Sequence, residues 1–441
     1  MTTTDDGRSA GANESLLRGI GFWALAASVL NNTIGGGIFA MPGELARDTG
    51  AAAPLVLVLG ALVFVPIAAC FSAAGSRIHA TGGAYRYVAA AFGPFAGYLV
   101  ASLLWISNVT ASGAIAAAIV DQAARVAPVL AQPLPRTGCL IGLYVALCLL
   151  NARGVRIGAS AIVVLAAAKL LPLLLVAIAG LAFVHPQYLH VAALPSVSAV
   201  AGSMALVVFA YGGMETALLP SGEVRDPDRT VPRATLAAIA LVVLVYVGLQ
   251  VVAQGVLGPA LPGNKTPLAD AAAAIAPVLR PVLLVTAGIS LLGFLQNDLL
   301  GTSRLLYALA RDGYLPATFA NVTPTHRVPL ASLLLYAIIA LALAIQGGFA
   351  GLALFSGKAL CYVYLGVCAA AWWLQRRDIR DGGEPFRMPG GPLLPFIGCA
   401  SMLWVLTTTT RGEAIATACA LALLVGVYAI VRLRGQRPAP H

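Results

Sequence analysis

Apolar residues in this chain come in long stretches separated by short polar turns, without the strict alternation of a half-buried sheet. They fall at about 20–46, 52–76, 95–127, 137–151, 158–184 and 198–222, then in a seventh ending near 256, and at about 278–311, 328–346, 348–374, 393–410 and 413–431. Most reach the roughly 20 residues that a helix needs to cross a bilayer, whereas barrel strands would run about 9 to 11 residues. The pattern predicts an all-α membrane protein of 12 transmembrane helices. They group as a first repeat at 20–184, a second at 196–376 and a final pair at 392–433, between tails at 1–19 and 434–441. Two further segments are too short to span. One, at 77–93, carries Tyr85, Arg86 and Tyr87 and suits an interfacial helix. The other, at 268–275, suits a cap over a vestibule.

Two of the spans are interrupted. The first contains Asn31-Asn32-Thr33-Ile34-Gly35-Gly36-Gly37-Ile38-Phe39 followed by Pro42-Gly43-Glu44, and the sixth contains Phe209-Ala210-Tyr211-Gly212-Gly213-Met214-Glu215 followed by Pro220-Ser221-Gly222-Glu223. Each glycine costs a helix about 1 kcal/mol relative to alanine, so the clusters should unwind the spans. Non-helical backbone survives at membrane depth only where it lines a cavity or is buried in protein. Paired interruptions in corresponding halves therefore point to a transport site. A broken helix offers free N–H groups at the start of its second half and free C=O groups at the end of its first. Amides near Gly36, Gly37 and Ile38 are candidates to hold a carboxylate, as helix N-termini hold anions. Carbonyls near Thr33, Phe209, Ala210 and Gly212 are candidates to accept from an ammonium. Since these contacts are backbone, side-chain selectivity is expected from Ile34, Tyr211, Met214, Asn297 and Lys358.

Composition strengthens the membrane reading: the 441 residues are 59% hydrophobic and 10% charged, with mean hydropathy +0.88, where a soluble domain would carry about 25% charged residues. The net charge of +10 does not form a nucleic-acid face. With charges near the ends of spans counted with the adjoining side, 19 of the 27 Lys and Arg fall in the tails and even-numbered loops, six on the other side and two deep within spans, an asymmetry that places both termini in the cytoplasm. A multi-pass protein of a bacterial inner membrane follows, with no cleaved signal peptide, because the first apolar stretch runs into the glycine cluster rather than a cleavage site. The seven cysteines lie in apolar segments and the five histidines in loops or tails. Neither set has ligand spacing, so no metal and no cofactor are expected.

Several motifs together resemble the amino acid/polyamine/organocation (APC) transporters. These are Gly35-Gly36-Gly37-Ile38-Phe39 with Pro42-Gly43; Thr81-Gly82-Gly83-Ala84-Tyr85 with Phe92-Gly93; and Phe209-Ala210-Tyr211-Gly212-Gly213. Further along come Arg225-Asp226-Pro227 with Val231-Pro232-Arg233, and Ser303-Arg304 with Ala310-Arg311-Asp312-Gly313 and Leu315-Pro316. They occur in family order across about residues 20–330. The resemblance implies a LeuT-like 5+5 inverted repeat with discontinuous helices 1 and 6 and two extra C-terminal helices. It implies that Gly35 to Gly37 take the substrate carboxylate, that Thr33, Phe209 and Gly212 take the amine through backbone oxygens, and that the Phe209 ring closes over the substrate. Arg77 and His79 stand where the family loop has an acid and a proline.

Four ionisable residues are placed at bilayer depth: Lys169, Glu215, Asp298 and Lys358. Each costs about 2.5 to 3.5 kcal/mol at the centre of a membrane and so calls for a partner or a purpose. By the same resemblance, Lys169 stands where sodium-coupled relatives of the fold bind their ion and ties helix 5 to carbonyls of the first half of helix 1, and Glu215 stands where antiporters carry an acid linked to pH response. Lys358 and Asp298 are expected to neutralise Glu215 or each other; otherwise Lys358 receives an acidic substrate side chain, or Glu215 and Asp298 a basic one. No cluster of residues has catalytic spacing, which argues against an enzyme. The expected function is sodium-independent secondary transport of an amino acid or related amine, as proton-coupled symport or exchange. A polyamine or amine antiporter, an amino acid exporter, and a non-transporting amino acid sensor are the alternatives.

Overall fold

A computed structural model describes residues 20–433 except 36, 81, 125–126, 153–158, 220 and 324–327. Gly36, Thr81, Pro220, the turn at 153–156 and both tails lie outside the described residues. The chain runs through α1 (Phe22–Thr33), α2 (Gly37–Thr49), α3 (Ala53–Arg77), α4 (Ala84–Phe92), α5 (Pro94–Ala123), α6 (Pro133–Ala152), α7 (Ala159–Ala179) and α8 (Val197–Tyr211). It continues through α9 (Met214–Ala217), α10 (Pro227–Leu257), α11 (Pro267–Ile275), α12 (Leu279–Arg311), α13 (Leu330–Gln346), α14 (Phe349–Arg377), α15 (Leu393–Leu406) and α16 (Arg411–Leu433).

Among the described residues, nine segments are long and apolar enough to cross a membrane, with Leu330–Gln346 and Leu393–Leu406 as shorter apolar helices. The pattern of the sequence predicts 12 crossings, and the breaks account for part of the difference. The first leaves α1 only 12 residues long, while a 3-10 turn at Gly50–Ala52 runs α2 into α3. The outward faces are apolar, as lipid contact requires: Leu134 on α6, Ile338 on α13 and Leu423 on α16 are each more than 60% exposed.

The apolar interior divides into two cores. One joins α1, α2, α3, α4, α8, α10 and α14, and the other joins α5, α6, α12 and α13. The two overlap along α5, whose residues up to Leu104 belong to the first core and those from Val109 to the second, and along α12, whose Leu291, Leu295 and Leu299 belong to the second while Leu283, Ala287, Leu305 and Leu309 belong to the first. The helix pairings repeat. α1 packs on α7 as α8 packs on α14, α1 on α10 as α8 on α3, and α7 on α10 as α14 on α3. Likewise α5 packs on α6 as α12 packs on α13, and α4 lies on α5 as α11 lies on α12. Ahead of α1, Ile20 pairs with Val224 in a single parallel bridge, so the entry to α1 is tied to the turn after α9.

The segment at 77–93 folds as expected into a short helix, α4, but Tyr85 and Tyr87 face inward, not along an interface. They are 1% and 0% exposed. The Tyr85 hydroxyl donates to Asp312 at 2.6 Å, and the Tyr87 hydroxyl lies 3.3 Å from that of Ser221. Burial pushes the Tyr85 phenol well above its ordinary range, and the bonded Asp312 carboxyl adds to the effect.

Candidate functional site

At the first break Ile34 leaves the helix with φ −76° and ψ 61°, and the helix resumes at Gly37. The last carbonyls of α1 have lost their intrahelical partners, and three neighbouring helices supply donors. Lys169 Nζ, from α7, donates to the Asn31 and Ile34 oxygens at 3.2 and 3.4 Å. The Tyr246 hydroxyl, from α10, donates to the Thr33 oxygen at 2.7 Å. Ser290, from α12, reaches the Ile34 and Gly35 oxygens at 3.0 and 3.1 Å.

At the second break Gly212 caps α8 by donating its amide to the Val208 and Phe209 oxygens, and Gly213 turns the chain at φ +121°, a conformation that glycine alone adopts freely. The α9 end is capped by its own acid. Glu215 Oε1 accepts from the Gly213 amide at 2.8 Å, and its Oε2 accepts from the Tyr364 hydroxyl of α14 at 3.0 Å.

The two breaks cross in opposite senses, α1 beside α9 and α2 beside α8. Their approach leaves no room for side chains: a Cβ on Gly37 would lie 2.9 Å from Ala210 Cα, and one on Gly213 would lie 2.6 Å from the Asn32 carbonyl. Between them is a cavity of about 30 Å³ whose lining includes Thr33, Gly35, Gly37, Asn108, Phe209, Gly212, Glu215, Phe294 and Asp298. That is space for water rather than for an amino acid. Thr33 Oγ1 is buried there without a partner among the described residues, a polar atom in want of one. On one side the pocket is shut. The Phe209 and Phe349 rings meet edge to face at 6.0 Å, and the Gly263 amide bonds the Gly43 oxygen at 2.9 Å. On the other side a cavity of about 340 Å³, lined by Asn31, Asn32, Arg86, Glu223, Asn297 and Arg304 among others, reaches the same stretch of α1.

Of the residues that the sequence singles out, Thr33, Gly35, Gly37, Phe209, Gly212, Glu215 and Asp298 line the cavity at the breaks. Ile34, Ile38, Ala210, Tyr211 and Met214 are buried around it. Tyr211 stacks between Phe64 and Tyr246. Asn297 faces the larger cavity instead, because neighbours on a helix point about 100° apart. Lys358 requires a correction, since it neutralises neither Glu215 nor Asp298. Its Nζ pairs with Glu413 Oε2 of α16 at 2.6 Å and with the Thr408 oxygen at 3.4 Å, beside a separate small cavity between α5, α14 and α16. A partner was available one helix away, and pairing there removes the cost of a buried lone ammonium. Sequence reasoning missed Tyr246, Ser290, Tyr364, Asn108 and Tyr336. Asn108 was legible as an amide inside an apolar span, but tyrosine and serine are common enough in such spans to give no signal.

The sequence profile of a family described as amino acid permease matches residues 20–430. The chain is 29% identical to an uncharacterised transporter of Mycobacterium tuberculosis over 96% of its own length and 93% of that protein's. It is 27% identical to the human large neutral amino acids transporter small subunit 2, over 95% and 80% of the two lengths, and 26% identical to the methylthioribose transporter of Bacillus subtilis, over 89% of each.

Proposed function

This chain belongs to the amino acid permease family, as a multi-pass membrane transporter and not an enzyme, and from that premise we propose that it carries an amino acid by alternating access at the two breaks. One observation carries the proposal. Of the four helix ends that meet there, the protein neutralises two, the α1 carbonyls with Lys169 and the α9 amides with Glu215. The other two, the α2 amides and the α8 carbonyls, are brought together where Gly37 touches Ala210, and among the described residues no side chain is bonded to either. They carry opposite partial charges of about half an electron each. The amides from Gly36 to Ile38 suit a carboxylate, the carbonyls from Phe209 to Gly212 suit an ammonium, and a zwitterion satisfies both. A neutral substrate would leave them unpaired.

The repeated helix pairings favour a 5+5 inverted repeat of 12 crossings, with α15 and α16 outside it and both termini cytoplasmic. The two cores favour movement of one against the other. The shut side at Phe209 and the open side at Asn297 correspond to an inward-facing state, in which the approach passes Arg86 and Arg304. In this reading Lys169 stands in for a sodium ion at the first break, and transport runs without sodium, as proton-coupled symport or as exchange. A second reading, an amine without a carboxylate, is favoured by Glu215 and Asp298 both lining the cavity. The test is counterflow into proteoliposomes loaded with single amino acids or polyamines, with and without a sodium gradient. Saturable counterflow of an amino acid without sodium is expected; flux only with sodium overturns the role of Lys169, and counterflow of polyamines alone overturns the zwitterion.

A further inference from the structure

On the wall of the cavity, groups from three helices close a ring. Asn108 Nδ2 donates to Thr302 Oγ1 at 2.9 Å, and Thr302 Oγ1 donates to Asp298 Oδ1 at 3.0 Å. The Tyr336 hydroxyl lies against Asp298 Oδ2 and 2.8 Å from the Asn108 carbonyl oxygen. All four residues are buried. Counting hydrogens gives the protonation state. The Asn108 amide supplies one, Thr302 one and Tyr336 one, while a carbonyl and an ionised carboxylate supply none. Thr302 already accepts from Asn108, so its own hydrogen goes to Asp298. Tyr336 then faces two acceptors with a single hydrogen. Four contacts share three protons, and an ionised Asp298 would leave one buried pair of oxygens with lone pairs opposed.

We propose that Asp298 is the proton-binding residue of this transporter. The fourth proton sits on its Oδ2 and is donated to the Tyr336 oxygen, while Tyr336 donates to the Asn108 carbonyl. Glu215, across the cavity, is provided for differently: both its oxygens accept, from the Gly213 amide and the Tyr364 hydroxyl, which suits an anion. Two carboxyl groups in one pocket thereby take two roles, Glu215 as a fixed negative charge beside the ammonium site and Asp298 as a carrier that takes its proton from water on one side and returns it to water on the other. The groups that face Asp298 from its surroundings are few. They are Glu215 of α9, Tyr336 of α13 and, through Ser112 at 3.0 Å, Tyr144 of α6. Lys169 of α7 stands further along α12, near Gly293. From α5 come the amide of Asn108 and the hydroxyl of Ser112, and Asp270 of α11 is engaged elsewhere, by Asn264, Thr266 and Arg280.

That the proton accompanies substrate rests on the proposed transport function; that Asp298 holds it does not. Asp298→Asn separates the two. Its amide would place an N–H where the protonated acid has its O–H, and an oxygen where Thr302 donates, so it copies the protonated ring, whereas it would break a ring built on an ionised carboxylate. In the full-length protein reconstituted in liposomes, infrared spectroscopy at neutral pH should detect a protonated-carboxyl C=O band that Asp298→Asn removes and Glu215→Gln keeps. Asp298→Asn should melt with the wild type and Asp298→Ala below both. Should Asp298→Asn not fold, Tyr336→Phe serves, since it removes the acceptor and shifts the band. A band that ignores Asp298→Asn and Tyr336→Phe, or an Asp298→Asn protein that melts as low as Asp298→Ala, overturns the proton on Asp298. For coupling, liposomes holding a pH-sensitive dye receive an equimolar mixture of the 20 protein amino acids. The wild type should acidify the lumen, while Asp298→Asn should lose acidification per mole of amino acid that enters. Acidification that persists in Asp298→Asn overturns the carrier role. Absent counterflow in the wild type defeats the transport reading alone and leaves the infrared result standing.

Discussion

The two breaks solve one problem in opposite ways. At the first, the orphaned groups are carbonyls, and the rest of the molecule supplies the donors: Lys169, Tyr246 and Ser290 come from α7, α10 and α12. At the second, the orphaned groups at the start of α9 are amides, and the acceptor is local, Glu215 only two residues past Gly213. The first break is therefore held from three other helices, and the second by its own acid together with Tyr364 of α14. The difference also sets the charges: a cation is spent on one helix end and an anion on another.

The largest effect is expected at Gly213. Gly213→Ala would force an alanine to φ +121° and drive its Cβ into the Asn32 carbonyl. A cost of about 3 kcal/mol or more is expected, with counterflow abolished, read as loss of folded protein in size-exclusion chromatography and of uptake in what remains. Next is Lys169→Met, which keeps the apolar stem and leaves the Asn31 and Ile34 carbonyls without their charged donor. It should destabilise the protein by about 2 kcal/mol in thermal melts and lose sodium-independent counterflow. Smallest is Lys358→Met, at neither break. Glu413 keeps the Thr410 amide and hydroxyl at 2.8 Å each, so counterflow per folded molecule should stay within about twofold of wild type. A tenfold loss would return Lys358 to the transport path.

Much of this arrangement is legible along the chain, because its causes are local. Apolar length fixes where helices run, and glycine clusters fix where they stop, so both breaks lie where Gly35 to Gly37 and Gly212-Gly213 predict them. Asn297 and Asp298 mark the boundary. Both are polar residues in an apolar span, conspicuous in the sequence, yet they face different cavities. The rotation of α12 that separates them is set by its packing on α5 and α13. Lys358 reads as a neutraliser of Glu215 or Asp298, but Glu413 lies 55 positions away in α16, and nothing in the sequence states how α16 leans on α14.

Taken alone, then, the sequence determined a membrane protein of long helices, two of them interrupted, with four charges at bilayer depth, because hydropathy and backbone propensity act over a few turns of chain. Only the tertiary structure decided that Lys169 meets the α1 carbonyls, that α2 meets α8 where Gly37 touches Ala210, and that Asp298 joins Asn108 and Tyr336 while Lys358 turns away to Glu413. Those outcomes depend on hydrogen bonds a few ångströms long between residues up to 256 positions apart in the chain, and distances of that kind have no local signature.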